Sequence, residues 1–400
     1  MSIVARHLSN IKASPTTTIS NLAMDLERQG RDIIRMSAGE PDFNTPEHIK
    51  QAAIEALERN QTKYPHVNGI VELREAICAK LKRENDLDYG VDQILVTAGG
   101  KQAIYNALVA SLNPGDEVII PAPYWVSYPD MVLLNGGVPV IVQTDSDHGF
   151  TLTPEALEAA ITDNTKWLIL NNPNNPSGAV MEESDLKALA QVLRDHPQVW
   201  ILSDDIYEHI VYDGIRFTTM AQVAPDLYPR TLTMNGFSKA YCMTGWRLGY
   251  AAAPRELISA MSKIQSQSTS GVNSISQWAG IAALEGDQSF IAEHNASFVQ
   301  RRDLALSILN QCNGLHCAPP KGAFYLYVDC KELMGRTTAQ GKTLECDEDF
   351  STYLLDSQGV AAVHGAAFGL SPFFRISYAT DDASIEAACT RIQAACGSLS

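Results

Sequence analysis

Between residues 90 and 255 the chain alternates short, unbroken apolar runs with helix-like segments, a pattern that few folds accommodate. Ile94-Leu95-Val96-Thr97 leads through Gly99-Gly100 into a helical stretch from Lys101 to Ser111. Glu117-Val118-Ile119-Ile120, Val138-Pro139-Val140-Ile141-Val142, Trp167-Leu168-Ile169-Leu170 and Val199-Trp200-Ile201-Leu202 follow, the last two separated by an amphipathic stretch from Glu182 to Arg194. Thr231-Leu232-Thr233-Met234 and Leu248-Gly249-Tyr250-Ala251 add two further β-rich runs. Strands that are apolar along their whole length need cover on both faces, which predicts a mostly parallel sheet between helices. A long helical region from about Ser274 to Asn310 then gives way to a different pattern. Ala323-Phe324-Tyr325-Leu326-Tyr327-Val328 and Phe373-Phe374-Arg375-Ile376-Ser377-Tyr378 read as alternating, half-buried strands. The expectation is a large α/β domain with a smaller α+β domain built from both chain ends. The boundaries expected are 1–48 for the arm and part of the small domain, 49–300 for the large domain, and 301–400 for the rest.

At 400 residues such a chain can bury a large core. Its formal charge of −16 argues against nucleic acid as a partner, and requires any anionic substrate to meet a local basic pocket. No apolar run approaches the ~18 residues that span a bilayer, so no membrane partner is expected. Met1-Ser2-Ile3-Val4-Ala5-Arg6-His7 lacks the apolar core of a signal peptide. Eight cysteines without a CxxC pair fit reduced thiols better than a disulfide or zinc framework. A cytoplasmic address and no metal are therefore expected.

The candidate chemistry collects at strand ends, where open α/β sheets bind ligands. Ser238-Lys239-Ala240-Tyr241-Cys242-Met243-Thr244-Gly245-Trp246-Arg247 sets a lysine and an arginine eight residues apart around a glycine turn. A lysine amine can condense with an aldehyde, and an arginine fork can clamp a phosphate. Gly99 and Gly100, with Lys101 beside them, open a helix whose N-terminus favours an anion, although a tight turn alone would also explain the glycines. Asp204 and Tyr207 follow another strand; the aspartate there reads as a carboxylate for a protonated ring nitrogen or as a helix N-cap. Asn171-Asn172-Pro173-Asn174-Asn175-Pro176-Ser177-Gly178 reads as a functional loop or a rigid turn. Trp125 reads as a stacking platform or an ordinary buried tryptophan. Arg375 sits in an apolar strand, where a cation is costly unless paired; it reads as a carboxylate fork or an edge-strand residue in solvent.

Taken together, the stretch from Ser238 to Tyr250 resembles the cofactor-lysine signature of class I pyridoxal-phosphate (PLP) aminotransferases, S-K-x-x-x-M-T-G-W-R-x-G-Y. The other segments match family motifs in family order from about Lys12 to Tyr378. The resemblance is strongest to the aspartate aminotransferase branch, through G-G-K-Q-A, S-P-Y-W-V-S-Y-P and P-x-G-A-F-Y. It implies the fold-type I architecture, with a mostly parallel seven-stranded sheet, and PLP bound covalently at Lys239. It further implies that Arg247 and the turn of Gly99, Gly100 and Lys101 bind the phosphate. Asp204 is then assigned to the ring nitrogen, Asn175 and Tyr207 to the ring oxygen, and Trp125 to the ring face. Asp205 replaces the family's more usual Glu in S-D-E-[IV]-Y, and Ser177 replaces Thr. Arg375 and the backbone of Gly39, in Gly39-Glu40-Pro41-Asp42-Phe43, are assigned to the substrate α-carboxylate, with Trp125 and Asn175 also at the substrate. Tyr64 is implied to reach the phosphate of a neighbouring subunit in a homodimer.

The activity implied is ping-pong transfer of an amino group between an L-amino acid and a 2-oxo acid. Lys101 matches a distal-carboxylate position, favouring aspartate or glutamate, although it also reads as a solvated residue of a helix first turn. Lys12 could add a second positive charge, as in relatives that accept prephenate. Residues 266–276 contain no arginine, which keeps aromatic and neutral amino acids open. A PLP-dependent lyase using the same anchors is the rival within PLP chemistry. A PLP-binding regulator is the rival outside it, and no basic segment precedes Ser37 to serve one.

Overall fold

The computed structural model describes residues 3–400. The short β1 (Ile34–Arg35) stands apart from the large sheet. The next strands are β2 (Ile94–Thr97), β3 (Glu117–Ala122), β4 (Val138–Gln143), β5 (Thr165–Asn171), β6 (Trp200–Asp204), β7 (Thr231–Gly236) and β8 (Gly249–Ala252). Among the described residues these seven form one sheet in the order β2-β8-β7-β6-β5-β3-β4. Every neighbouring pair from β7 to β4 is parallel, and β8 runs antiparallel to both β7 and β2.

The unbroken apolar runs are explained by the period-2 geometry of a strand covered on both sides. Leu95, Ile120, Ile169 and Leu202 enter one core with the helices Gly100–Ser111 and Arg255–Ser268. Their chain neighbours Ile119, Leu168 and Ile201 enter an opposite core against the helix Glu183–Asp195. Ile94 and Val96 pack with the helix Val71–Asn85. Burying each such side chain contributes about 1.5–3 kcal/mol, and polar termini of the runs are left at the sheet's carboxyl edge.

The remaining strands are β9 (Tyr325–Asp329), β10 (Val360–Ala361), β11 (Val363–His364) and β12 (Phe373–Ser377). β11, β12 and β9 form an antiparallel sheet with β12 in its centre, and β1 pairs in parallel with β10, joining the two chain ends. The helical region expected from Ser274 to Asn310 is two helices, Ser274–Glu285 and Ser289–Leu309.

One expectation is corrected. The strands at 323–328 and 373–378 are not half-buried: β12 is buried throughout, and β9 in all but Asp329. Phe374, Ile376, Leu326 and Val328 face a helical core, while Tyr327 and Phe373 pack on Val126 and Phe368. Both faces are covered, one by the helices Ser289–Leu309, Asp347–Gln358 and Asp382–Gly397 and the other by residues outside the strands, among them Val126, Phe150 and Phe368.

Candidate active site

A cavity of about 520 Å³ opens at the carboxyl ends of β5, β6 and β7 and is closed from the other side by β9 and β12. It brings together Gly39, Gly100, Lys101, Trp125, Asn175, Asp204, Tyr207, Lys239, Arg247 and Arg375 from distant parts of the chain.

Lys239 follows β7. Its Nζ donates to the Gly39 carbonyl and lies 5.6 Å from the Tyr207 ring centroid. Burial, then the cations Arg375 and Arg247, lower its pKa to about 8, against the opposing pull of Glu40 and Asp204.

Arg247 adopts a left-handed backbone with φ +54. Its Nη1 donates to the Thr244 carbonyl at 2.9 Å and its Nη2 to the Ala98 carbonyl at 3.3 Å. The second contact ties it to the turn after β2. Glycine is favoured there: Gly99 has φ +83, and a Cβ on it would lie 2.5 Å from Arg247 Nη2 and displace that side chain. A Cβ on Gly249 would lie 2.6 Å from the Gly100 nitrogen, so these backbones also meet without side chains between them.

Asp204 ends β6, buried. Tyr128 donates its hydroxyl to Asp204 Oδ2 at 2.5 Å and the Ile206 amide donates to Oδ1 at 3.3 Å. Burial raises the Asp204 pKa to about 6, moderated by these donors and by Lys239. Residues 206–209 are turns, so Asp204 does not cap a helix. Asp205 points elsewhere, accepting from Ser203 Oγ at 2.7 Å, and burial raises its pKa to about 7.

Arg375 lies in the central strand of its sheet and is 2% exposed, which excludes the edge-strand reading. Its Nη1 donates to Asn175 Oδ1 and its Nη2 to the Ser37 carbonyl, both at 2.8 Å, while its Nε is buried without a partner. Lys101 Nζ sits 4.7 Å over the Trp125 ring, and burial lowers its pKa. That contact places its amine on the cavity wall, while the residue itself remains exposed at the first turn of its helix.

Two expected residues lie elsewhere. Tyr64 is 97% exposed and Lys12 sits beside Asp130; neither lines the cavity of its own chain. Several lining groups carried no role in the sequence reading. Tyr325 holds its hydroxyl 2.8 Å from that of Tyr207, Tyr128 supports Asp204, and Ser37 receives Arg375. Glu40 Oε2 accepts from Thr244 Oγ1 at 2.8 Å. Tyr325 and Tyr128 stand inside the quoted P-x-G-A-F-Y and Y-W-V-S-Y-P segments, which was the signal available.

The donor set fits pyridoxal phosphate. Lys101, Lys239, Arg247 and Arg375 face one cavity and form no ion pair among the described residues, so anions are the missing counterpart. The orphaned Arg375 Nε, the glycine cradle beside Arg247 and a buried carboxylate at Asp204 ask for an anion, a phosphate and a ring cation respectively.

The family model for aminotransferase class I and II matches residues 31–392. The chain belongs to this family. It is a pyridoxal-phosphate-dependent aminotransferase of the fold-type I architecture, with a mostly parallel seven-stranded sheet. An aspartate/prephenate aminotransferase from Cereibacter sphaeroides is 57% identical over 400 residues, covering 100% of both chains. The crystal structure of an aspartate aminotransferase from Rhizobium meliloti has a TM-score of 0.97 at 53% identity, covering 100% of each chain. That of the Thermus thermophilus aspartate aminotransferase with maleate has a TM-score of 0.92 at 42% identity, covering 99% of this chain and 100% of that one. Among the described residues no helix is long and apolar enough to cross a membrane.

Proposed function

We propose that this aminotransferase takes dicarboxylic amino acids, L-aspartate and L-glutamate, as amino donors, with 2-oxo acids as acceptors in a ping-pong cycle. The observation that carries the reading is the pair of uncompensated cations in one cavity: Arg375, buried with Nε unpartnered, and Lys101 on the Trp125 face. One suits an α-carboxylate and the other a distal carboxylate. The names of the relatives, and the dicarboxylate maleate in the Thermus thermophilus structure, support it. Prephenate, printed in the name of the Cereibacter sphaeroides protein, is a second acceptor on this reading.

Pyridoxal phosphate supplies, when bound, an aldehyde that holds amines covalently and a cationic ring that withdraws electrons. Arg247 and the turn of Gly99, Gly100 and Lys101 hold its phosphate. Asp204, fixed by Tyr128, keeps the ring nitrogen protonated; Asn175 and Tyr207 hold the ring oxygen, and Trp125 covers the ring face. Arg375 and the Gly39 backbone orient the substrate carboxylate, so that its Cα faces Lys239. The Nζ of Lys239, neutral in a larger fraction than an ordinary lysine, would be the base that accepts and returns the proton at the substrate Cα. Such proton transfer is worth ~10²–10⁴-fold.

The division of the chain at 48 and 300 is retained as a proposal, with the second boundary inside the helix Ser289–Leu309. A homodimer in the cytoplasm, with Tyr64 acting on the partner's site, completes the reading.

The test is an absorbance titration of PLP-loaded protein with L-aspartate and no oxo acid. Conversion of the aldehyde-form band to the amine-form band is expected, and Lys101→Ala should lose most of the preference for aspartate over alanine. A band that ignores aspartate, or an unchanged preference in Lys101→Ala, rejects the dicarboxylate assignment.

A further inference from the structure

Tyr325 opens β9, and the proposed mechanism leaves it without a task. It is fully buried yet lines the cavity. Its hydroxyl stands 2.8 Å from the hydroxyl of Tyr207, with the two rings edge to face at 6.0 Å. Its ring lies under Arg375, whose guanidinium carbon is 4.4 Å from the ring centroid. The strand register accounts for the contact with Arg375: Arg375 is opposite Tyr327 and Ser377 is opposite Tyr325, so Tyr325 and Arg375 are diagonal neighbours on one face. A Cβ on Gly39 would come 3.2 Å from the Tyr325 hydroxyl, so the glycine strap also rests on this side chain.

We infer that Tyr325 is a positioning residue that joins the cofactor half of the site to the carboxylate half. Its hydroxyl holds that of Tyr207, and its ring face holds the guanidinium of Arg375. A tyrosine has one proton to donate. When Tyr207 gives its proton to a ring oxygen, its own oxygen is left to accept, and Tyr325 is the donor within reach. A donor bonded to Tyr207 polarises it and strengthens the bond it gives. The aromatic face beneath Arg375 offers an attraction that adds no negative charge, so the cation is held without being neutralised. Burial pushes the Tyr325 hydroxyl upward in pKa, which keeps it protonated and able to donate.

The inference rests on the proposed assignment of Tyr207 to the ring oxygen, and its test separates the two. In PLP-loaded protein, the pH midpoint of the bound-cofactor absorbance is measured for wild type, Tyr207→Phe, Tyr325→Phe and the double variant. Tyr325→Phe should move the midpoint in the same direction as Tyr207→Phe and by less, and the double variant should move no further than Tyr207→Phe. Losing one hydrogen bond should also weaken PLP binding to the apoprotein by about threefold to tenfold, read by fluorescence titration. Maleate binding, read from the same absorbance, should change by no more than about twofold in Tyr325→Phe, which keeps the ring; Tyr325→Leu should weaken it by about threefold to tenfold. An unmoved midpoint in Tyr325→Phe beside a shifted one in Tyr207→Phe, or additive shifts in the double variant, overturns the hydroxyl link. Unweakened maleate binding in Tyr325→Leu overturns the link to Arg375. An unmoved midpoint in Tyr207→Phe overturns the assignment of Tyr207 itself, and the inference falls with it.

Discussion

Burial sets the chemistry of Lys239. Its amine loses solvent and faces Arg375 and Arg247, so its pKa falls from 10.5 to about 8; Glu40 and Asp204 limit the fall. The neutral amine is the form that attacks an aldehyde, and it accumulates as pH rises through the pKa. Uptake of PLP by the apoprotein should therefore accelerate with pH and level off, with a midpoint near 8 in stopped-flow absorbance. Glu40→Gln, which removes the nearby negative charge, should move that midpoint downward. Lys239→Ala should keep the wild-type circular dichroism and lose turnover. A midpoint near 10.5 would contradict the desolvation of this amine. Lys239, Arg247, Asp204, Asn175 and Arg375 were legible in the sequence because each sits in a short motif whose spacing is local. That Tyr325 and Ser37 stand beside these residues was not legible. They meet Tyr207 and Arg375 across 118 and 338 positions, which only the folded topology supplies.

At the scale of an element, the turn from β2 into the helix Gly100–Ser111 shows how backbone shape and site are one feature. Gly99 has a positive φ, and the three atoms nearest to an added Cβ all belong to the Arg247 guanidinium. A side-chain end can move where a backbone cannot. Gly99→Ala should therefore fold, with about 1 kcal/mol or more lost to the left-handed backbone, while Arg247 is displaced. PLP affinity should fall by about tenfold or more, since a charge-assisted phosphate contact is worth about 1.5–3 kcal/mol. Thermal melting with and without PLP measures both effects; a variant that loses stability but keeps full PLP affinity would show that Arg247 does not depend on this turn. The strands themselves were readable, because an unbroken apolar run has few explanations. The break between the helices Ser274–Glu285 and Ser289–Leu309 had a signal that periodicity overrode. Gly286 leaves no room for a side chain, with the Ala282 carbonyl 2.5 Å from its would-be Cβ, and Asp287 accepts from the Ser289 amide at 2.9 Å. The burial of β9 and β12 on both faces could not be read from alternation, since the second cover comes from elsewhere in the chain.

The whole molecule carries a formal charge of −16, yet its cavity gathers five cations, of which Arg35 is paired with Glu27, against the carboxylates of Glu40 and Asp204. An anionic ligand is thus drawn to one place by local field rather than by net charge. Tyr64, like Lys12, is an assigned residue that does not line the cavity of its own chain. It is 97% exposed, costly for a tyrosine with a ring to bury, and Ile54, Leu57 and Val71 are exposed as well. A homodimer in which Tyr64 serves the opposite site makes a prediction that does not depend on knowing the substrate. Tyr64→Ala and Lys239→Ala homodimers should each be impaired, the second completely. In a mixed dimer, the Tyr64→Ala subunit keeps its own Lys239 and receives an intact Tyr64 from its partner, so one of the two sites is native. Co-refolding the two variants should therefore restore activity above that of either alone, with PLP bound at native affinity in half the sites of the mixed species. If Tyr64 acted within its own chain, every site in the mixture would lack either Tyr64 or Lys239, and no activity would return beyond that of the Tyr64→Ala subunits present. Sedimentation of the same samples fixes the dimer fraction, so a failure to associate is distinguished from a failure to complement.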